Sequence, residues 1–247
     1  MTVYRRPETT TVNDIAAPPE SIERIEMAGE GHSLSMLTYR AVSDMIRHRR
    51  LRGGDVIVEA RLADTLGISR TPLREALQRL EGEGLVRKGD GRNYVVRRVD
   101  IGEYLQSLRL RQLIEPDAAV AGIGTIPRRR MIEVRREIAD LMGATAYHTD
   151  MHWVSDDNLH NLIIDHCGNE VMAQVLRNLR VTTRLFEIDR LKERLQPDST
   201  EHLQIIEALE SGDAARTRTA VHDHIESLIG FARQHLLQPH GAASSTT

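Results

Sequence analysis

Residues 61–80 read RLADTLGISRTPLREALQRL, and the spacing of their apolar residues predicts a helix, a tight turn and a second helix. Leu62, Ala63 and Leu66 fall on one face of the first helix. Gly67 stands where the chain must turn, and Ile68 tucks under that turn. Leu73, Ala76, Leu77 and Leu80 recur at helical spacing along the second helix, whose outer face carries Arg70, Arg74 and Arg79. A short helix with an apolar underside and arginines at its start fits a DNA major groove. A helical hairpin with an ordinary solvated charged face carries the same pattern.

The flanking sequence extends this unit. Residues 81–99, EGEGLVRKGDGRNYVVRRV, contain a turn at Gly84, a short apolar strand at Leu85 and Val86, a basic glycine-rich tip at 88–92, and a second strand at 94–96. A β-hairpin after a helix-turn-helix makes a winged helix. Gly53 and Gly54 precede the motif, and Val56, Ile57 and Val58 supply a small third strand. Upstream, Leu34, Leu37, Ala41, Met45 and Ile46 mark an amphipathic helix.

Charge divides the chain. Residues 40–98 carry a net +6, residues 1–39 a net −3 and residues 99–247 a net −6, so the overall −3 hides a basic segment between acidic ones. Phosphate attraction follows local charge, and a duplex is expected on the basic segment. The 247 residues, 40% hydrophobic, suffice for two modest cores. The aromatic content of 3% makes those cores aliphatic, as in helical bundles. The single cysteine, Cys167, excludes an internal disulfide and a CxxC zinc knuckle. No apolar run has membrane-spanning length and no signal-peptide core follows Met1, which gives an expectation of a cytoplasmic protein without membrane contact. Residues 1–31, rich in Thr, Pro and Glu, are expected to be largely disordered, with a short helix conceivable at 22–28, and 238–247 form a disordered tail.

Residues 101–237 read as helices, at 101–123, 128–143, 150–166, 170–193, 199–210 and 213–236. Breaks fall at Gly122/Gly124–Pro127, Gly143, Gly168-Asn169, Pro197 and Gly212-Asp213. Pro116 is expected to kink the first of them. Six such helices make an antiparallel bundle. The fold class is therefore mostly α: a winged helix at 32–98 followed by an all-α bundle at 99–237.

Within the bundle, Asp156 and His160 are four apart and share a helix face, about 6 Å from each other. His202 lies ten residues before Gly212 and His224 twelve after it. Both stand roughly 15–18 Å from that turn, level with one another in an antiparallel hairpin. One carboxylate and three imidazoles suit a divalent transition metal with open positions. Solvated or internally satisfied side chains account for the same spacing. Asp157 and His222 are near misses; His222 is two residues from His224 and faces away if His224 faces in. His148 and His152 are expected at the surface.

Residues 35–98, with LADTLGISRTPLREALQRLEGEGLV as core and SRTPLREAL as its most specific piece, resemble the DNA-binding domain of the GntR family of bacterial transcription regulators. The bundle resembles the FCD ligand-binding domain of the FadR-type subfamily, through Asp156-x3-His160, Gly168-Asn169, Glu201-His202, Gly212-Asp213 and His224. The resemblance implies a non-enzymatic regulator, a repressor, that binds double-stranded operator DNA as a homodimer. Ser69, Arg70, Thr71 and Arg74 would meet bases and phosphates, and Gly91 and Arg92 at the wing tip would approach the minor groove. Arg79 and Arg87 are read as a solvated face. Relatives often carry Arg where this chain has Ala60, with Arg61 one residue later, and Asn93 replaces the usual wing glycine. Leu159 stands where Phe is usual.

The same resemblance implies that Asp156, His160, His202 and His224 hold a metal, zinc first, with nickel, manganese or iron also compatible. It implies a small organic acid as effector, with Arg111 as its carboxylate partner and Arg184 as a weaker candidate. An internal Arg111–Glu115 pair is the equal alternative for Arg111. Two other functions fit the composition: a metal-dependent enzyme with a nucleic-acid-binding head, and an architectural DNA-binding protein with a structural metal.

Overall fold

The structure is a computed structural model that describes residues 33–47, 50–91, 93–142, 150–190 and 195–236. The expected N-terminal extension and C-terminal tail, Arg92 and His148 lie outside the described residues. Two compact units divide between Val99 and Asp100.

The first unit runs α1 (Leu34–Arg47), β1 (Val56–Val58), α2 (Glu59–Thr65), α3 (Arg70–Gly82), β2 (Val86–Lys88) and β3 (Asn93–Val96). The turn after α2 follows from Gly67, which takes φ +64°. That left-handed residue lets the Ile68 N–H reach the Ala63 carbonyl at 3.1 Å and the Gly67 N–H reach that of Asp64 at 3.2 Å. Gly84, at φ +76°, ends α3 in the same way, with Leu85 donating to Leu80. Leu62, Ala63, Leu66, Leu73, Leu77 and Leu80 are all buried, as their spacing requires. Thr38, Ala41, Val42, Met45 and Ile46 give α1 its buried face, and α1 packs on α3, whereas Leu34 is exposed.

The three strands form an antiparallel sheet in the order β1-β3-β2, with Ile57 opposite Tyr94 and Val86 opposite Val96. The expected third strand pairs directly with the wing. Leu85 belongs to the turn rather than to β2, because its N–H is spent on closing α3. Asn93 is a strand residue opposite Val58, and the left-handed position of the wing falls on Gly91, at φ +71°.

The second unit is a bundle of α4 (Ile101–Gly122), α5 (Arg128–Met142), α6 (Asp150–His166), α7 (Glu170–Arg190), α8 (Leu195–Ser211) and α9 (Ala214–Leu236). Asp100 caps α4 by accepting the Glu103 N–H at 2.8 Å. α4 packs against α6, α7 and α9. It therefore buries polar as well as apolar residues: Ser107, Arg111, Gln112 and Glu115 beside Tyr104 and Leu108. A helix enclosed on several sides has no single apolar stripe. Tyr104 stacks on Phe186 of α7, with ring centroids 4.2 Å apart.

α4 continues through Pro116 to Gly122. Pro197, expected to mark a break, lies in the first turn of α8, which starts at Leu195 rather than at 199. A proline is tolerated there because the first-turn N–H groups have no intrahelical acceptor. Gly212 (φ +71°) and Asp213, whose carboxylate accepts the Ala215 and Arg216 N–H groups at 2.9 and 3.0 Å, turn α8 into α9.

Candidate nucleic-acid interface and metal centre

Ser69, Arg70, Thr71 and Arg74 are all exposed at the start of α3, and Arg61 is exposed on α2. Ser69 is extended (φ −72°, ψ 161°), and its side chain makes no capping bond. Gln78 continues the row of Arg70 and Arg74 at four-residue spacing and is exposed too, a face member that the sequence reading passed over. Arg79 belongs elsewhere. Its guanidinium lies 4.0 Å over the Tyr39 ring and its Nε donates to Glu83 at 3.0 Å, which fastens α3 to α1. Arg87 is exposed on β2, and Gly91 is exposed at the wing tip.

Arg74 has a partner that sequence spacing did not reveal. Its Nη2 donates to Glu59 Oε2 at 2.9 Å, and its Nε lies 3.3 Å from the same oxygen. Glu59 is the first residue of α2 and is buried. Its side chain is 10% exposed, against 49% for Arg74.

In the bundle, His160 of α6, His202 of α8 and His224 of α9 converge. One ring nitrogen from each lies within 4.8 Å of the others, and all three residues are buried. The Nε2 atoms of His202 and His224 stand 3.4 Å apart. The expectation that they are level across the Gly212 turn is met. Asp156 joins them, its Oδ1 lying 3.5 Å from His160 Nε2 and 3.7 Å from His202 Nε2. His222 faces away and sits beside Asp223 at 3.1 Å. Asp157 bonds to Arg180 and Arg184 and takes no part in the cluster.

The groups behind the cluster set its chemistry. His224 Nδ1 lies 2.8 Å from Glu201 Oε2, and His160 Nδ1 is hydrogen-bonded to Glu115 Oε1. A carboxylate only accepts, so each Nδ1 carries the proton and each Nε2 keeps its lone pair. His160 Nε2 is then a buried lone pair with no hydrogen-bond partner among the described residues. The facing His202 and His224 nitrogens likewise need a proton or a cation between them. Two nitrogens each about 2.0–2.1 Å from one tetrahedral ion stand about 3.4 Å apart. The residues therefore fit a metal, and the carboxylates on Nδ1 provide the outer support such ligands use.

Electrostatics agree. Burial holds His202 well below the usual histidine range, reinforced by His224. His224 is lowered too, chiefly by burial, against the pull of Glu201. Both imidazoles are thus neutral near pH 7, as ligation requires. Burial pushes the Asp156 carboxyl up, but the Arg180 guanidinium outweighs it and holds the group well below the carboxylate range.

Arg111 and Glu115 are both fully buried and form the internal pair that the sequence left as one of two readings. Arg111 Nε donates to Glu115 Oε2 at 2.8 Å, and its Nη1 donates to Thr183 Oγ1 at 3.3 Å. In Glu115, burial raises the carboxyl pKa while Arg111 and His160 bring it well below the ordinary value. A cleft opens at the cluster, lined by His152, Trp153, Asp156, Arg180, His202 and His224 among others. His152, expected at the surface, is buried and faces this cleft. It occupies the same face of α6 as Asp156, four residues on. Among the described residues the arginine lining the cleft is Arg180, and neither Arg111 nor Arg184 is part of that lining. Spacing within single helices gave no sign of Arg180 or Trp153, because the cleft is assembled from several helices.

Two stretches of the chain match known families. Residues 35–96 match the bacterial regulatory proteins of the gntR family, and residues 106–227 match the FCD domain. The HTH-type transcriptional regulator LutR of Bacillus subtilis (strain 168) is 24% identical over 217 residues, covering 74% of this chain and 94% of its own. The HTH-type transcriptional repressor RspR of Escherichia coli (strain K12) is 22% identical, covering 79% and 87%. In fold, the chain is similar to E. coli McbR/YncC, with a TM-score of 0.69 at 17% identity over 83% of this chain and 99% of that one. It is also similar to a GntR protein from Rhodococcus sp. RHA1, with a TM-score of 0.64 at 20% identity over 83% and 99% of the two chains.

Proposed function

Because the chain belongs to the gntR family of bacterial regulatory proteins and carries an FCD domain, we propose that it is a cytoplasmic, homodimeric repressor whose operator affinity is set by a small organic acid bound beside a metal in the bundle. The observation that carries this reading is the convergence of His160, His202 and His224 with Asp156, of which Asp156, His202 and His224 line the cleft.

The domain reading is a winged-helix head at 32–98 and an effector-binding bundle at 99–237. Asp156, His160, His202 and His224 would hold the metal, zinc first by its preference for nitrogen and oxygen donors. When bound, the metal supplies positive charge and open positions that accept a carboxylate. Arg180, at the same cleft, supplies a second cationic contact. We assign the effector carboxylate to this side of the cleft rather than to Arg184. Arg111 acts from behind, holding Glu115 and through it the His160 ring. Ser69, Arg70, Thr71, Arg74 and the wing at Gly91 and Arg92 read the duplex, with Arg61 beside them.

In a dimer, two heads meet two half-sites. An acid that binds one arrangement of the dimer better than another changes operator affinity by that preference and no more. A gel-shift titration on a duplex selected from a random library tests the reading. Binding well above that to random duplex, relieved by an organic acid in metal-loaded protein only, is the expected result. Binding with no sequence preference contradicts the regulator; relief that is indifferent to metal contradicts the effector site.

A further inference from the structure

Arg74 is an exposed cation of α3 whose guanidinium is held by a residue of α2, Glu59. A guanidinium has two planar edges for paired donation, Nε with Nη2 and Nη1 with Nη2. Glu59 faces the first edge, with Nη2 at 2.9 Å and Nε at 3.3 Å from Oε2, and Nε 3.4 Å from Oε1. The second edge points away from Glu59 on a side chain that is 49% exposed. Arg70, one turn earlier on the same row, has no ion-pair partner among the described residues.

We infer that Glu59 is a positioning residue that turns Arg74 from a phosphate anchor into a reader of guanine, by holding its Nε–Nη2 edge and presenting the Nη1–Nη2 edge to the groove. The inference rests on the DNA-binding reading of this head.

Two physical consequences set it apart from a purely local role. A free arginine attracts phosphates from any sequence, but the Glu59–Arg74 pair is neutral overall and adds little to that attraction. A planar edge held at a fixed angle matches guanine O6 and N7, and a swinging side chain loses that selectivity. Arg70 then supplies the less constrained positive charge, and Arg74 the discrimination. A carboxylate in the first turn of a helix also stabilises that helix, so stability alone does not separate the roles; base preference and salt dependence do.

The test is selection from a randomised duplex library, then salt titration on the selected and on random duplex, with the full chain. Wild type should select a site containing a guanine in each half that Arg74→Ala no longer prefers. Glu59→Gln should lose about ten-fold of the discrimination at that same guanine. It should also bind random duplex more tightly, with a salt slope steeper by about one phosphate. Arg74→Lys, which keeps the charge and the Glu59 contact but lacks the fork, should lose the guanine preference at an unchanged slope. If Glu59→Gln and Arg74→Lys both select the wild-type site with wild-type discrimination, the inference is overturned while the regulator reading stands. If wild type itself selects no site, both fall.

Discussion

His202 Nε2 and His224 Nε2 face each other 3.4 Å apart, although the two residues are 22 positions apart in the chain. Each belongs to a different arm of the α8–α9 hairpin, and the Gly212 turn sets their levels. At that distance either one nitrogen carries a proton that the other accepts, or a cation lies between them. His160 Nε2 and Asp156 Oδ1 close the same space.

Glu201 fixes the direction of the His224 lone pair by accepting from Nδ1 at 2.8 Å. Glu201→Gln removes that charge while keeping the size. Metal affinity should fall about 10- to 100-fold, with the helical content unchanged. Competition with a chromophoric chelator measures it; an unchanged affinity would show that Glu201 does not orient the ring.

Arg111 and Glu115 are both fully buried, whereas Arg218 and Asp117 form an ion pair whose side chains are each about half exposed. Breaking the buried pair leaves an enclosed carboxylate without its guanidinium. Arg111→Ala should cost about 3–5 kcal/mol of stability. Arg218→Ala should cost no more than about 1 kcal/mol. Urea denaturation of the two variants checks the contrast, and equal costs would contradict it.

Acid should destabilise the metal-free protein. His202 and His224 have folded pKa values below the ordinary 6.5. Below that value the unfolded chain takes up protons that the folded chain refuses, so stability falls as pH drops from about 6.5 toward the folded values. Glu115 and Asp156 are held below their ordinary 4.5 and 3.8, so their contribution is present above those values and is lost at still lower pH. Melting temperature of chelator-treated protein should decline steadily below about pH 6.5. A rise on acidification contradicts the assignment of neutral imidazoles.

Gly67 takes φ +64°, and nothing lies within 4 Å of the place a Cβ would occupy. Gly67→Ala therefore carries backbone strain alone, about 1–2 kcal/mol, and should lower the stability of the head without altering its contacts. A neutral substitution would show that the turn relaxes.

The head was legible because its decisive contacts are local. Leu62, Gly67, Leu73 and Leu77 sit at fixed offsets within one turn and two helices, so periodicity places them. His202 and His224 were legible for a related reason, since one short turn relates two regular helices. What escaped was contact across elements. Glu59 meets Arg74 across the helix-turn-helix, Glu115 meets His160 from different helices, and Arg180 enters the cleft from α7. Helical spacing carries no information about which faces of separate helices pack together. His152 shows the same limit: its i,i+4 relation to Asp156 was there, but the cleft it faces was not visible from one helix. Pro197 signals a stop in the sequence because interior prolines break helices, but its place in the first turn of α8 removes that cost.

The most direct test of the metal-dependent regulator is elemental analysis of the purified wild type beside His202→Ala and His224→Ala, each confirmed as folded. The wild type should carry about one transition-metal ion per chain, and either variant little or none. Equal metal content in all three proteins would contradict it.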